Sequence, residues 1–376
     1  MSSIYESVLY NKNLITNKVK IDKRNFKNIN QLNENLYFDL RDKFVISIDP
    51  ENTKDIDDAL HYEKTESGFK IGIHISNVVD TLQYYRMEHI LENINTFSTV
   101  YAPHRIVNMF YEELSNNILS LLVNKDRYAI TLWVIIENNK IIDTTLQKTI
   151  IRNKKQYTYD QFEKKINSDK KICELYDCVK NLEYENINYE IFDTHKFIEK
   201  LMIIYNCEIS KRFSDKKHKF IFRNQTDKII QNNDNTDLDS DLSNFMNIIN
   251  KNSANYSFNN EGHISLKLNS YTHITSPIRR YVDCYNQRLL SGYIDGYNVF
   301  PLNIDLNILN TYIKNIKRAD RLYDKLKLKN IINETLNHKY LVYPYKFDGV
   351  YIYFYIKNIN LTLQKKLINP KTENIF

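Results

Sequence analysis

Four aspartates stand close together in residues 44–60: Asp49, Asp55, Asp57 and Asp58. They follow an apolar run that predicts a buried strand, and apolar residues return directly after them. Like charges held near each other in a low-dielectric cleft repel strongly, so a protein that gathers them there usually holds a cation as well. Oxygen atoms are the ligands that Mg²⁺ prefers. The stretch therefore indicates a candidate site for a hard divalent cation.

An acidic stretch of this kind can also be a solvated turn or a calcium-binding EF-hand loop. An Asp-rich turn most often lies in water, but here Asp57 and Asp58 lead directly into a second strand-like segment. An EF-hand loop requires glycine at position six and glutamate at position twelve, with further ligands between them. Counting from Asp49 or Asp55 places no glycine at position six, and the intermediate ligands do not match. We therefore favour the cation site over both alternatives.

Residues 271–293 form the second informative stretch. Ser276 can cap a helix, Pro277 suits its first position, and Gly292 suits its end. These signals predict a helix over about residues 277–291.

Two arginines, Arg279 and Arg280, fall in the first turn of that predicted helix. A helix N-terminus attracts anions, and guanidinium groups match the geometry of a phosphate. The alternative is a surface helix in which Arg279 pairs with Asp283, four residues later. Taken alone, the stretch favours the surface helix.

The composition limits the class of protein. A chain of 376 residues with 42% hydrophobic and 26% charged residues suits a globular fold of one large domain or two to three ordinary ones. The net charge of +6 permits a polyanionic partner without requiring one. The four cysteines match neither a disulfide framework nor a zinc site. No apolar run reaches the roughly 18–20 residues of a membrane span, and the N-terminus lacks a secretory signal, so we expect a cytoplasmic protein with no membrane partner.

The elements that would position these stretches are strands followed by helices. Residues 41–150 are mainly strand-like, with a hairpin turn at Asn138-Asn139. Thr158 marks the start of a helical region that extends to about residue 215. The other predicted elements are helices at 83–93, 111–122, 242–250 and 306–335, and aromatic strands at 338–364 with a turn at Asp348-Gly349.

Five segments together resemble the catalytic (RNB) domain of the ribonuclease II family of exoribonucleases. Residues 39–60 are similar to the family's strand ending in Asp-Pro and its Asp-x-Asp-Asp-Ala cluster, and residues 271–281 are similar to its Tyr-Thr-His-Phe-Thr-Ser-Pro-Ile-Arg-Arg-Tyr segment. The other three segments are His74 to Val78, Tyr101 to Pro103 and Met202 to Asn206. Two distinctive motifs in the family's order are a far rarer chance match than one. The resemblance covers about residues 39–335.

This sequence departs from the family pattern at several positions, none of which removes an aspartate of the cluster. The departures are Asn77 for aspartate, Phe110-Tyr111 for Leu-Pro, Asn224-Gln225 for Val-His, and Gln287 for histidine. Asp320 and Asp324 are the candidates for the family's acidic residue near the end of the domain.

The resemblance implies an α+β (mixed α/β) fold of the RNB type, with a curved, mostly antiparallel sheet flanked by helices. It divides the chain into a basic N-terminal extension (1–38), the catalytic domain (39–335), and a β-rich C-terminal tail (336–376) that could be a truncated S1-like remnant. Full-length relatives carry oligonucleotide-binding (OB) modules on both sides of this domain. RNA capture would then depend on the catalytic channel, on the basic extension, or on a partner protein.

The resemblance also implies a function. It predicts a metal-dependent, hydrolytic 3′-to-5′ exoribonuclease that degrades single-stranded RNA to 5′-mononucleotides, with Mg²⁺ as cofactor and Mn²⁺ as a substitute. The alternative is a catalytically weak or inactive RNA-binding module that keeps the fold. A third hypothesis, a structural interaction protein, has only the aromatic C-terminal strands behind it.

The resemblance and the chemistry together suggest a role for each site residue. Asp49 and Asp58 would hold Mg²⁺ with help from Asp55, Asp57 would orient or deprotonate the attacking water, and Arg279 would steady the scissile phosphate. Tyr101 would stack on the terminal nucleotide, with an aromatic at Phe220 or Phe222 opposite it. The residues expected to contact RNA are Tyr101, Arg279, Arg280, Phe222, His273 and Ser276.

Overall fold

The computed structural model describes residues 37–94, 96–102, 105–214, 219–227, 252–334, 342–347, 351–356 and 361–366. Most of the predicted N-terminal extension, the predicted helix at 242–250 and the predicted turn at Asp348-Gly349 lie outside these residues. The chain divides into two compact units. The larger unit holds residues 6–226 and 254–316, and the smaller holds 1–5, 227–253 and 317–376.

A closed barrel forms the centre of the larger unit. Its strands follow the order β1-β2-β3-β6-β7, and all neighbours are antiparallel except β1 and β7, which close the barrel in parallel. Short pairs β4–β5 and β8–β9 lie outside it. The strands are β1 (Phe38–Asp49), β2 (Asp58–Lys64), β3 (Gly68–Ser76), β4 (Val100–Ala102), β5 (Arg105–Val107), β6 (Asp126–Glu137), β7 (Lys140–Thr158), β8 (Phe222–Asn224) and β9 (Asn255–Ser257).

The alternation of side chains along the strands gives the barrel two different faces. Branched residues on one face, including Leu60, Ile73 and Leu132, belong to the large core that also contains the helices. Successive side chains of a strand point to opposite faces, so His61 and His74 face the other way, into the barrel. The predicted hairpin is confirmed, because Asn138 and Asn139 both have positive φ, at 49° and 61°.

Helices cover the apolar face of the barrel. The predicted start at Thr158 is confirmed by a capping box between Thr158 and Gln161. The predicted helix at 83–93 is instead two short ones, separated by Arg86 at φ 54°, and that at 111–122 contains a π-helical turn, Leu114–Ile118. The helices are α1 (Val78–Tyr84), α2 (His89–Glu92), α3 (Tyr159–Ile166), α4 (Lys170–Asn181), α5 (Thr194–Ser214), α6 (Tyr281–Asp295) and α7 (Leu306–Glu334).

The bounds predicted for α6 are wrong by four residues at each end. The helix begins at Tyr281, because the backbone N–H of Ile278 donates to a distant carboxylate, that of Asp57, and residues 276–280 form a separate turn. It continues past Gly292 to Gly296, which ends it with φ 78°. A Cβ on Gly292 would lie 2.1 Å from Val299 Cγ2, so this glycine serves close packing instead of a helix end.

The smaller unit contains a three-stranded antiparallel sheet among its described residues. Its strands, in the order β10-β11-β12, are β10 (Val342–Phe347), β11 (Tyr351–Ile356) and β12 (Leu361–Lys366). The predicted long helix is confirmed as α7, and its residues from Lys317 onward, including Asp320 and Asp324, belong to this unit. No described helix combines the length and the hydropathy needed to cross a membrane. The predicted domain boundaries stay a prediction.

Candidate active site

A cavity of about 940 Å³ opens at one end of the barrel. The end of β1, the loop that follows it and the start of β2 form one wall, and the turn before α6 forms another. Antiparallel neighbours bring the end of β1 next to the start of β2, which explains why aspartates nine residues apart meet there. The candidate residues among its lining are Asp49, Asp55, Asp57, Asp58, Tyr101, His273, Ser276, Arg279 and Arg280.

Asp49 and Asp58 occupy the two adjoining strand ends. Burial raises the pKa of Asp49 to about 6, against hydrogen bonds from Ser47 and Gln156 that lower it. Burial also raises the pKa of Asp58 well above its usual range, and the charges of Asp49 and Asp57 raise it further. The protein therefore holds these carboxylates where their negative charge is poorly compensated.

Asp57 joins the two motifs of the sequence. Its Oδ1 accepts the Ile278 backbone N–H at 2.8 Å, and its Oδ2 accepts the Arg279 Nε–H at 3.2 Å. Burial raises the pKa of Asp57 to about 7, although Arg279 and the Ile278 bond lower it. A carboxylate with a pKa near neutrality suits a group that takes and returns a proton.

Arg279 is held from two sides. Its Nε donates to Asp57, and its Nη2 donates to Ser276 Oγ at 3.0 Å. The pairing of Arg279 with Asp283 that a surface helix would make is therefore wrong. Asp283, which is fully buried, instead accepts from Arg280 Nη2 at 2.8 Å and from the Ser276 N–H at 2.7 Å.

Asp55 and Tyr101 are in contact on the opposite side. Tyr101 lies on β4, about half exposed, and its hydroxyl donates to Asp55 Oδ2 at 3.3 Å. Burial raises the pKa of Tyr101 to about 12, and the charge of Asp55 adds to that rise. An exposed ring beside the aspartates is available to contact a ligand that enters the cavity.

Phe222 does not belong to the site, and that prediction is wrong. Its side chain is 3% exposed and packs edge-on against Phe220, which is fully buried in the same core. Neither ring lines the cavity. Phe222 is the first residue of the short strand β8, and sequence spacing alone could not show that its ring packs into the core.

Several residues that sequence reasoning missed also line the cavity. Tyr159, the first residue of α3, lines the cavity, and burial raises its pKa, as do the charges of Asp58 and Asp49. Glu199 and Asn206 come from α5, each about one helical turn from Met202. The capping box at Thr158 is a signal that could have drawn attention to Tyr159.

The departures from the family pattern make hydrogen bonds of their own. Gln287 Nε2 donates to the Ser76 carbonyl at 2.7 Å and its Oε1 accepts the Val79 N–H at 3.1 Å. Asn77 caps α1 and donates to Asp80 Oδ2 at 2.9 Å. Gln287 therefore joins α6 to β3 and to the start of α1, and Asn77 holds the first turn of α1.

The donor set fits a hard cation. Asp49, Asp55 and Asp58 offer only oxygen atoms, and the raised pKa values of Asp49 and Asp58 show that a positive charge would stabilise them. Among the described residues, no three His, Cys, Asp or Glu side chains converge closely enough to hold a metal ion together. Direct coordination would therefore involve fewer than three of them in this arrangement.

The barrel ends in paired carboxylates, which can bind a cation, and the turn that carries the arginines lies opposite them. A cavity of this class can hold an anionic group between the cation and the arginines. The model of the RNB domain family matches residues 37–296. Because this is well over half of the chain, the protein belongs to the RNB domain family, as the resemblance to the ribonuclease II family predicts.

The relatives confirm the predicted fold class. The chain is 27% identical over 325 residues to Ribonuclease R of Mycoplasmopsis pulmonis, covering 68% of this chain and 44% of the relative. The structure of Mycoplasma genitalium RNase R in complex with ribose-methylated single-stranded RNA matches with a TM-score of 0.75 at 19% identity, over 96% of this chain and 69% of that one. Yeast Ssd1, a pseudonuclease, matches with a TM-score of 0.71 at 15% identity, over 96% and 55%. The chain spans about half the length of the curated relatives it matches.

Proposed function

We propose that this protein is a 3′-to-5′ exoribonuclease that hydrolyses single-stranded RNA to 5′-mononucleotides. The observation that carries the proposal is the contact of Asp57 with Ile278 and Arg279, which brings the aspartate cluster and the arginine turn to the same cavity. Membership of the RNB family and similarity to ribonucleases R support it. A cytoplasmic location remains a prediction.

Three residues of the chain would each take one part in the hydrolysis. Asp57, with a pKa of about 7, takes a proton from the attacking water. Arg279, held by Asp57 and Ser276, stabilises the charge that develops on the scissile phosphate. The Tyr101 ring stacks on a base at the cavity mouth, where stacking tolerates any sequence.

Mg²⁺ is the cofactor that we propose, with Mn²⁺ as a substitute. Asp49 and Asp58 would hold it, with Asp55 beside them. When bound, the ion would polarise a phosphate oxygen and neutralise charge. Thermal unfolding tests the site without an activity assay: Mg²⁺ should raise the Tm of the parent, and Asp58→Asn should remove that rise.

The alternative function is RNA binding without catalysis. The pseudonuclease Ssd1 has a similar fold, so the fold alone does not decide between the two. The presence of all four aspartates and of Arg279 around one cavity favours the enzyme. A catalytically inactive protein would retard labelled RNA in a gel and release no mononucleotide.

Asp57→Asn tests the proposal directly. The amide can still accept from Ile278 but is not a base, so we expect release of labelled mononucleotide from a 3′-labelled oligoribonucleotide to fall at least 100-fold. Asp126→Asn is the matched control, since Asp126 lies on β6 and pairs with Arg152. Equal rates for Asp57→Asn and the parent, with Mg²⁺ present, would refute the assignment. EDTA should abolish activity and Mg²⁺ or Mn²⁺ should restore it.

Single-stranded RNA is the partner that we propose. A second protein that helps to capture RNA remains a prediction from the resemblance. RNAs of different lengths would be pulled down with this protein, with and without added cell extract. A capturing protein in the extract should increase the length of the RNA that is recovered.

A further inference from the structure

Three basic side chains, one tyrosine and one aspartate form a cluster on the side of the cavity that carries the arginines. We define this basic cluster as Arg223, Arg280, Asp283, Tyr256 and His273. Arg280 and His273 line the cavity. Arg223 lies on β8, and its backbone N–H donates to the carbonyl of Tyr271, another lining residue. None of these contacts is used by the mechanism proposed above.

Arg223 is a buried cation that pairs with no carboxylate in the described part of the chain. Its side chain is 7% exposed, and its Nη1 has no hydrogen-bond partner among the described residues. Its guanidinium carbon lies 4.5 Å from the centroid of the Tyr256 ring, a cation–π contact that compensates the charge only in part. Burial lowers the pKa of Arg223, and the positive charge of Arg280 lowers it further.

The cluster contains two guanidinium groups and one carboxylate, and only Arg280 pairs with that carboxylate. Asp283 accepts from Arg280 at 2.8 Å, while Arg280 Nε and Asp283 Oδ2 are buried and have no partner among the residues that the structure describes. His273 adds no charge, because burial together with Arg280 and Arg223 lowers its pKa well below its usual range. The cluster therefore carries one positive charge in excess.

An uncompensated buried charge is expensive unless a ligand neutralises it. About a fifth of the Arg280 side chain, 22%, remains accessible, on a residue that lines the cavity. A phosphate at that surface would contact Arg280 directly, and the positive charge of the buried Arg223 would further stabilise its binding. Phosphate suits the site better than a carboxylate because its several oxygens can accept from more than one guanidinium.

We propose that the basic cluster is a second phosphate site of the cavity, with Arg280 as the contact residue and Arg223 as a positioning residue that supplies charge. It is separate from the scissile-phosphate position beside Arg279. The identity of the phosphate rests on the proposed function: it is a phosphate of the bound RNA, either an internal phosphodiester or a phosphate on the 3′ end.

Inorganic phosphate tests the site without catalysis. At ten times the Kd, phosphate should raise the Tm of the parent protein by about 2 °C relative to chloride at equal ionic strength. Arg223→Met and Arg280→Met should lose most of this rise, and Arg223→Lys should keep part of it. Arg212→Met is the control, because Arg212 pairs with Glu208 on α5, and it should keep the whole rise.

Two further outcomes separate the site from a structural role. Because Arg223 is an unpaired buried charge, Arg223→Met should keep or raise the Tm in phosphate-free buffer. A full phosphate response in Arg223→Met, or a response that only Arg279→Met removes, overturns the proposal. If phosphate raises the Tm but the protein releases no mononucleotide, the phosphate site is supported and the proposed exoribonuclease activity is refuted. If the protein releases mononucleotides but phosphate does not raise its Tm, the activity is supported and the phosphate site is refuted.

Two labelled oligoribonucleotides distinguish the source of the phosphate. Their affinities are measured by fluorescence anisotropy in the Asp57→Asn background, one with a 3′-hydroxyl and one with a 3′-phosphate. A terminal phosphate in the site gives the 3′-phosphate strand about tenfold tighter binding, which Arg223→Met removes. An internal phosphodiester gives equal affinities that Arg223→Met weakens by the same factor. No change in either affinity overturns the proposal.

Discussion

Two histidines share a hydrogen bond inside the barrel, and we expect them to make the stability of this protein sensitive to acid. His61 Nδ1 lies 2.7 Å from His74 Nε2, and the rings stack with centroids 4.9 Å apart. Both are almost fully buried. Gly72 makes room for them, since a Cβ there would lie 2.5 Å from His61 Cε1.

The hydrogen-bond chain favours one placement of the protons. The Ala129 carbonyl can only accept, so Thr149 Oγ1 donates to it and accepts from Thr131 Oγ1 at 2.7 Å. Thr131 then accepts from His74 Nδ1, which leaves His74 Nε2 to accept from His61 Nδ1. His61 Nε2 is left buried with no partner in the described part of the chain. A second proton on His74 would occupy Nε2 and remove the acceptor for His61, whereas a second proton on His61 would occupy Nε2 and bury a charge with no partner among the described residues.

The size of the effect follows from the pKa of His61. Burial lowers it from the ordinary value of 6.5 to about 4. Between these values the unfolded chain binds a proton that the folded protein refuses, so stability rises with pH and is lost as the pH falls from 6.5 towards 4. At about 1.4 kcal/mol for each pH unit, His61 alone accounts for roughly 3 kcal/mol of lost stability.

His61→Asn isolates this contribution. The asparagine Nδ2 can occupy the position of the histidine Nδ1 and donate to His74, but it does not titrate. We expect the variant to be less stable at pH 7, because the ring leaves a cavity. The fall in its free energy of unfolding between pH 7 and pH 4 should, however, be smaller than the parent's by roughly 3 kcal/mol.

Urea denaturation at pH 7, 5.5 and 4 measures the difference. The control is His89→Asn, since His89 is exposed and its replacement should leave the pH dependence of the parent unchanged. If His61→Asn loses as much stability in acid as the parent does, His61 is not the group responsible and the prediction is refuted.

Three further predictions concern packing, a buried ion pair and the cavity mouth. Gly292→Ala should lower the free energy of unfolding by about 1–3 kcal/mol in urea denaturation, because the new methyl group meets Val299; an unchanged midpoint would contradict this close approach. Lys148→Met should cost about 3–5 kcal/mol by leaving Asp80 without its ion pair at 2.8 Å, and adding Asp80→Asn should recover part of that loss. Tyr101→Ala should weaken binding of single-stranded RNA about tenfold in anisotropy measurements, while Tyr101→Phe keeps the ring and the affinity; equal losses would point to the hydroxyl instead.

The sequence could predict the aspartate wall because its signals are local. An apolar run that ends in Asp49 and resumes after Asp58 describes two strands, and adjacent antiparallel strands must meet at that end. The capping box at Thr158 and the Asn138-Asn139 turn are local in the same sense, and the structure has both.

The errors come from contacts between distant residues. Ser276 and Pro277 are good helix-start residues, but the Ile278 N–H bonds to Asp57, 221 positions earlier, and this contact delays the helix. The resemblance implied a place in the site for Phe222, whereas its burial depends on packing with Phe220. With 29 tyrosines in the chain, residue type alone could not single out Tyr159.

The same long-range contact explains how the cavity depends on the docking of α6. Asp57 reaches the turn before this helix, and Gln287, within the second turn of the helix, bonds to Ser76 and to the N–H of Val79. The aspartate wall and the arginine turn can therefore face each other only when α6 is seated on the end of β3. A protonated histidine at position 287 would have no acceptor for the Val79 N–H, whereas the glutamine amide supplies a donor and an acceptor at any pH. The two bonds of Gln287 therefore do not depend on pH, and we expect them to persist in the acid range in which the His61–His74 pair should destabilise the barrel.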